Sequence, residues 1–198
     1  MPQYNLSNTN SPEINYQLGL LPQRNNQNLF YQDTSCRSDL TDFRLSSENR
    51  RILNKTADFT FIVTPLNQFS LNLNVQKQIF QWIKGLGWNF PINTIKLIFS
   101  KHIFNTLYLW KNSQNTIVAY SVCYFSPAIS HIAYVFYDPV YSHTNLPIRL
   151  SLQVIIDSHQ QGLKYCYLGR FSETTGFYKR TMPGFEHFHN GQWLKYQS

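Results

Sequence analysis

A chain of 198 residues is long enough to bury a sizeable core in one ordinary domain, and an aromatic content of 16% makes that core rich in Phe and Tyr. Only 14% of residues are charged, yet the formal net charge is +7, an excess that suits a polyanionic partner or a plain basic surface equally well. No apolar run approaches the roughly 20 residues that span a bilayer, which excludes a helical membrane protein and leads us to expect a soluble, cytoplasmic one.

Residues 1 to 30 are dominated by Asn, Gln, Ser and Pro, with a short apolar patch at 18–22, and are expected to be irregular. Charge gathers from 31 to 56, where Arg37, Arg44, Arg50, Arg51 and Lys55 make a basic edge interspersed with Asp39, Asp42 and Glu48. Ser46 or Ser47 is placed to cap a short helix running toward Leu53. Residues 59–64 read as a strand ended by Pro65. The near-helical spacing of Ile79, Phe80, Trp82 and Ile83 predicts an amphipathic helix over 75–85, and a second helix is expected after Pro91.

The stretches 106–110 and 117–125 read as an antiparallel pair joined by the turn-forming run from Asn112 to Asn115. A third strand over 131–137 stops at Asp138-Pro139, since proline donates no ladder hydrogen bond. Asn145 is then expected to cap a helix that runs to Gly162, followed by a strand over 165–168. A hairpin over 185–196 turning at Asn190-Gly191 completes the chain. Cys36, Cys123 and Cys166 fit no paired-cysteine pattern, and His187 and His189 lack a third ligand, so neither a metal site nor a cofactor is expected.

A helix pair, an antiparallel meander and then strand, helix, strand is the element order of the acetyltransferase-type (GNAT) fold. The predicted class is therefore α/β, with a mostly antiparallel sheet and helices on both faces. Its expected division is an N-terminal segment, 1–56, and a catalytic domain, 57–198. Chemistry in such units collects where strands end and backbone is free. Asp138 occupies such a strand end.

The run Tyr137-Asp138-Pro139, the strand Tyr165-Cys166-Tyr167-Leu168-Gly169, the pair Tyr178-Lys179, and Glu186 and Trp193 resemble the C-terminal part of arginyl-tRNA-protein transferases and their bacterial leucyl-transferring relatives. Arg37, the stretch 43–51 and Leu21-Pro22-Gln23-Arg24 are similar to two further patches of that family, in family order. The chain departs from the family in lacking the N-terminal cysteine set, in carrying Pro147 where the family has glycine, and in a shorter loop before Tyr178.

The resemblance implies transfer of arginine or leucine from aminoacyl-tRNA to the N-terminal α-amine of acceptor proteins, marking them for turnover, by a monomer needing no cofactor. It makes Asp138 a group that orients or deprotonates the amine, against the alternative that it only shapes the Asp-Pro turn. Tyr178 would protonate the leaving ribose oxygen, and Lys179 would meet a tRNA phosphate; the alternative is an ordinary amphipathic pair. Arg37, Arg50, Arg51 and Asn145 are candidate tRNA ligands. Glu186 would select a cationic aminoacyl group or pair with Lys179 or Arg180. Two other classes stay open: an acyl-coenzyme A-dependent N-acyltransferase, disfavoured because 142–149 carries no glycine, and a non-catalytic tRNA-binding module.

Overall fold

The computed structural model describes residues 4–5, 11–89, 91–100, 102–172 and 176–196. In chain order the elements are β1 (Tyr4–Asn5), α1 (Pro12–Gln17), β2 (Leu20–Gln23), β3 (Asn26–Gln32), β4 (Ser35–Asp39), α2 (Ser47–Lys55), β5 (Thr60–Pro65) and α3 (Leu73–Gly85). There follow α4 (Ile92–Ser100), β6 (Thr106–Lys111), β7 (Ile117–Phe125), β8 (Ile129–Tyr137), α5 (Leu146–Gln160), β9 (Tyr165–Arg170), β10 (Phe185–His189) and β11 (Gln192–Lys195).

Eight strands form one sheet in the order β11-β10-β4-β9-β8-β7-β6-β5, antiparallel except where β8 meets β9. Period-two geometry sends alternate side chains of the central strands to cores on opposite faces. In β6, Tyr108 and Trp110 join the cluster under α5, while Leu107 joins Ile79, Ile83, Ile95 and Ile98 of α3 and α4 on the other face. This is the mixed α/β, GNAT-like architecture that the element order predicts.

The local signals explain most boundaries. Ser46 caps α2 in a reciprocal box with Asn49, satisfying two otherwise orphaned backbone donors. Asn72 caps α3 through Val75 N–H. At the β10–β11 turn Asn190 and Gly191 have φ of 48° and 80°, the left-handed pair that a two-residue hairpin loop requires.

Three expectations are corrected. Residues 11–32 are ordered: α1, β2 and β3 build, with β1, a second sheet in the order β1-β3-β2, packed through Tyr16, Leu20, Leu21 and Phe30; residues 1–3 and 6–10 lie outside the described ones. The apolar patch that looked too short for structure suffices because the large sheet covers it. Second, Ser35–Asp39, within the segment expected to end at 56, is a central strand of the large sheet between β9 and β10. Third, Asn145 occupies the helix-start position without capping it: Thr144 Oγ1 accepts from Leu146 N–H at 3.2 Å, and the Asn145 side chain turns to Arg51 instead.

Candidate active site at the fork between two strands

β8 and β9 run parallel and register only from Ile129 opposite Tyr165 to His131 opposite Tyr167. Beyond that point they part. Each carries an extra residue at the divergence: Ala133 in β8, between Ile132 and Tyr134, and Leu168 in β9, between Tyr167 and Gly169. Such bulges bend a strand and raise its twist, which opens the sheet into a fork. Gly169 follows at φ 77°, a left-handed conformation that a Cβ would strain.

Two cavities flank the fork, sharing Ala133 and Tyr134. The first, about 490 Å³, is lined by β8 together with Thr144, Pro147, Ser151, Leu168, Tyr178 and Lys179. The second, about 390 Å³, is lined by Leu21 to Arg24, Tyr31, Phe104, His131, Gly169 and Arg170. The Leu-Pro-Gln-Arg patch and the Tyr-Lys pair, far apart in sequence, thus stand on either side of one opening.

Tyr178 turns its hydroxyl to Ser151, and burial pushes its pKa up to about 12, so it is protonated throughout the ordinary pH range. Lys179 Nζ donates to Leu168 O at 2.6 Å and to Arg170 O at 2.7 Å, clasping the carbonyls on either side of Gly169. That leaves one of its three N–H groups uncommitted by those bonds. Burial lowers its pKa. Lys179 therefore faces the fork, not a solvated phosphate.

Asp138 is not among the residues lining either cavity. Its carboxylate accepts from Val140 N–H at 3.0 Å and shapes the turn out of β8. The ring of Pro139 lies 2.5 Å from where a Gly85 β-carbon would sit, so this turn is seated on the end of α3.

Arg37 and Glu186 bind each other. Arg37 Nε and Nη2 both reach Glu186 Oε2 at 2.8 Å, with side chains 7% and 10% exposed. The guanidinium carbon lies 3.6 Å from the Tyr165 ring centroid and 4.1 Å from that of Trp193. Arg37 thus replaces phosphate with a carboxylate of its own chain, and Glu186 takes the Arg37 partner, not Lys179 or Arg180. Arg50 and Arg51 are exposed on α2. Arg51 grips Glu48 with two hydrogen bonds and reaches Asn145 Oδ1 at 3.5 Å, which brings the basic edge to the start of α5, beside the first cavity.

Sequence reasoning missed His131, 4% exposed at the base of the fork. Its Nδ1 is 2.7 Å from the Tyr16 hydroxyl, and its Nε2 is buried with no hydrogen-bond partner among the described residues. Burial, then the nearby Lys179, hold its pKa down to about 3, so the ring is neutral. A histidine at the start of an apolar strand gives no sequence signal of this kind. Among the described residues no three His, Cys, Asp or Glu side chains gather, and all three cysteines are free and buried. No helix among the described residues is long and apolar enough to cross a membrane.

The chain is similar to aspartate/glutamate leucyltransferases. Those of Acinetobacter baumannii strains ATCC 17978 and AYE are 26% identical over 173 residues, which cover 83% of this chain and 62% of theirs. The chain thus spans under two thirds of the length of the curated relatives it matches. No family model matches it.

Among solved structures, L-PGS from Bacillus licheniformis superposes with a TM-score of 0.52 at 16% identity, covering 71% of this chain and 48% of that one. A GCN5-related glucosamine N-acetyltransferase region of a fungal multi-domain β-N-acetylglucosaminidase gives 0.50 at 12% identity, covering 78% and 19%. These likenesses show the fold. The leucyltransferase likeness agrees with the resemblance read from the sequence and supports a transferase.

Proposed function

We propose that this chain transfers an aminoacyl group, leucine or arginine, from aminoacyl-tRNA to the N-terminal α-amine of acceptor proteins beginning with Asp or Glu, tagging them for turnover. The observation that carries this reading is the leucyltransferase likeness over 83% of the chain. The open fork supports it with a place for the ester.

In the reaction the free-base amine attacks the ester carbonyl carbon. The C–N bond forms as the carbonyl π pair moves onto oxygen; collapse then breaks the bond to the ribose oxygen. The amine's surplus proton leaves to solvent at the cavity mouth, and the ribose oxygen takes one from Tyr178, which is reprotonated from solvent. An α-amine with a pKa of about 8 is partly free base near neutrality, so no strong base is required. Positioning and charge stabilisation carry the rate.

Tyr178 is thus the proposed catalytic acid. Asp138 acts by fixing the turn between β8 and α5. Arg50, Arg51 and Asn145 form the face for the tRNA acceptor arm, while Arg37 and Glu186 brace β4, β9 and β10 behind the site. The chain acts in this reading as a cytoplasmic monomer.

The test is incubation of the purified protein with radiolabelled leucyl- or arginyl-tRNA and peptides starting with Asp or Glu. Label in the peptide is expected. Absence of transfer from every aminoacyl-tRNA tried, with turnover of acetyl-coenzyme A, sinks the reading in favour of an acyl-coenzyme A enzyme; tRNA binding with neither activity favours a binding module.

A further inference from the structure

We propose that His131 is a catalytic residue of this site, its Nε2–H donating a hydrogen bond to the acyl carbonyl oxygen where β8 and β9 part, with Lys179 as the second donor. The inference rests on the acyl-transfer reading and assigns the group that stabilises the oxyanion.

The tautomer follows from counting donors. Tyr16 is wholly buried, and burial raises its pKa well above the ordinary tyrosine value, so it keeps its proton. If the imidazole donated from Nδ1, that hydroxyl proton would be left in the apolar core around Phe30, Tyr124 and Tyr167, and Nε2 would still lack a partner. With the hydroxyl donating to Nδ1, one group alone is unsatisfied, Nε2–H, and it belongs to a residue lining the second cavity. Buried donors left without acceptors are costly, so the second arrangement is favoured. Tyr16 is then a positioning residue that sets which nitrogen carries the proton.

The two donors converge. The point where a β-carbon on Gly169 would stand is 3.7 Å from His131 Nε2 and 4.0 Å from Lys179 Nζ. Glycine leaves that point empty. Nζ already holds Leu168 O and Arg170 O; an acceptor seated against Gly169, beyond the point a β-carbon would fill and nearer both nitrogens, can receive its remaining N–H together with the imidazole N–H. Two N–H groups left over by the protein's own acceptors make a site for an oxygen, and the oxygen that gains charge in this reaction is the ester carbonyl. As the amine adds, the π pair comes to rest on that oxygen and both groups strengthen their hydrogen bonds to it. On collapse the pair returns and neither donor has lost a proton.

The test joins kinetics to the tautomer. His131→Leu removes the donor, whereas His131→Gln offers an amide N–H at a similar reach. With folding checked by circular dichroism, His131→Leu is expected to lower kcat for peptide labelling by about 10²-fold to 10³-fold, the usual loss for one oxyanion donor, with KM for aminoacyl-tRNA nearly unchanged. His131→Gln should recover most of that loss, and nitrogen-15 NMR of the wild-type imidazole should place the proton on Nε2. Tyr16→Phe should move part of the population to the Nδ1–H form and lower kcat in proportion.

If wild-type protein labels peptides and His131→Leu does so equally well, the His131 assignment falls and the transfer reading stands. A proton on Nδ1 in the wild type overturns the assignment whatever the activity. Equal loss in His131→Leu and His131→Gln, both folded, also overturns it. Wild-type protein that moves no aminoacyl group removes the reading and the assignment together.

Discussion

Glu186→Gln separates a bracing role for the Arg37–Glu186 pair from a role in substrate contact. The change keeps shape and removes one charge, leaving the Arg37 guanidinium, 7% exposed, without its counter-ion between Tyr165 and Trp193. Breaking a buried ion pair from one side costs about 3–5 kcal/mol, because the surviving charge remains desolvated. The ring contacts stay and offset about 1–2 kcal/mol of that penalty. A net loss of about 2–3 kcal/mol follows, which in a chain of this size lowers Tm by roughly 5–10 °C. Urea unfolding followed by tryptophan fluorescence measures it. Removing both charges with Arg37→Met and Glu186→Leu should restore most of the loss, since a matched apolar replacement leaves no uncompensated ion. A loss under about 0.5 kcal/mol for Glu186→Gln, the range of an ordinary surface change, would refute the bracing argument and return both residues to the list of substrate contacts.

Three other outcomes are expected. Gly169→Ala, forced to a φ of 77°, should cost about 1–2 kcal/mol of stability and, by placing a methyl 3.7 Å from His131 Nε2, reduce transfer more than that loss explains, as peptide labelling at saturating tRNA would register. Stability should fall as pH drops from 6.5 to 5: the His131 pKa is about 3 folded against 6.5 unfolded, so the unfolded chain binds more protons there, and about 2 kcal/mol is lost. His102, also lowered by burial, adds to the slope with the same sign, and His131→Gln should flatten the curve in denaturant titrations at each pH. Arg50→Ala with Arg51→Ala should weaken tRNA binding and reduce the salt slope of log K by about 1–2, read by fluorescence anisotropy across a salt series, with unfolding within about 1 kcal/mol of wild type.

The half of the sheet from β5 to β8 was readable because those strands are apolar and aromatic runs that end at recognisable breakers such as Pro65 and Asp138-Pro139. β4 was invisible for the opposite reason. Its Ser-Cys-Arg-Ser-Asp has no apolar alternation, yet Ser35 and Arg37 are buried because their polarity is answered by distant partners, Gly19 O for Ser35 and Glu186 for Arg37. The site was legible in part. Tyr178 and Lys179, singled out by the resemblance, line the first cavity at the fork, whereas the Lys179 amine serves backbone carbonyls. His131 depends on Tyr16, which lies 115 residues away and shares no pattern with it. Only packing brings such a pair together.

The placement of β4 bears on how the chain is made. Both neighbours of β4 are synthesised long after it: Arg37 waits for Tyr167, 130 residues later, and for Glu186, 149 residues later. Until then a strand with two open edges and a buried-type arginine must remain unpaired on the nascent chain, and closing so long a loop slows assembly. The emergence of β9 and β10, more than of any local helix, becomes the event that completes the sheet. A chain that has emerged only as far as α5 carries a complete meander and a fork with only one prong.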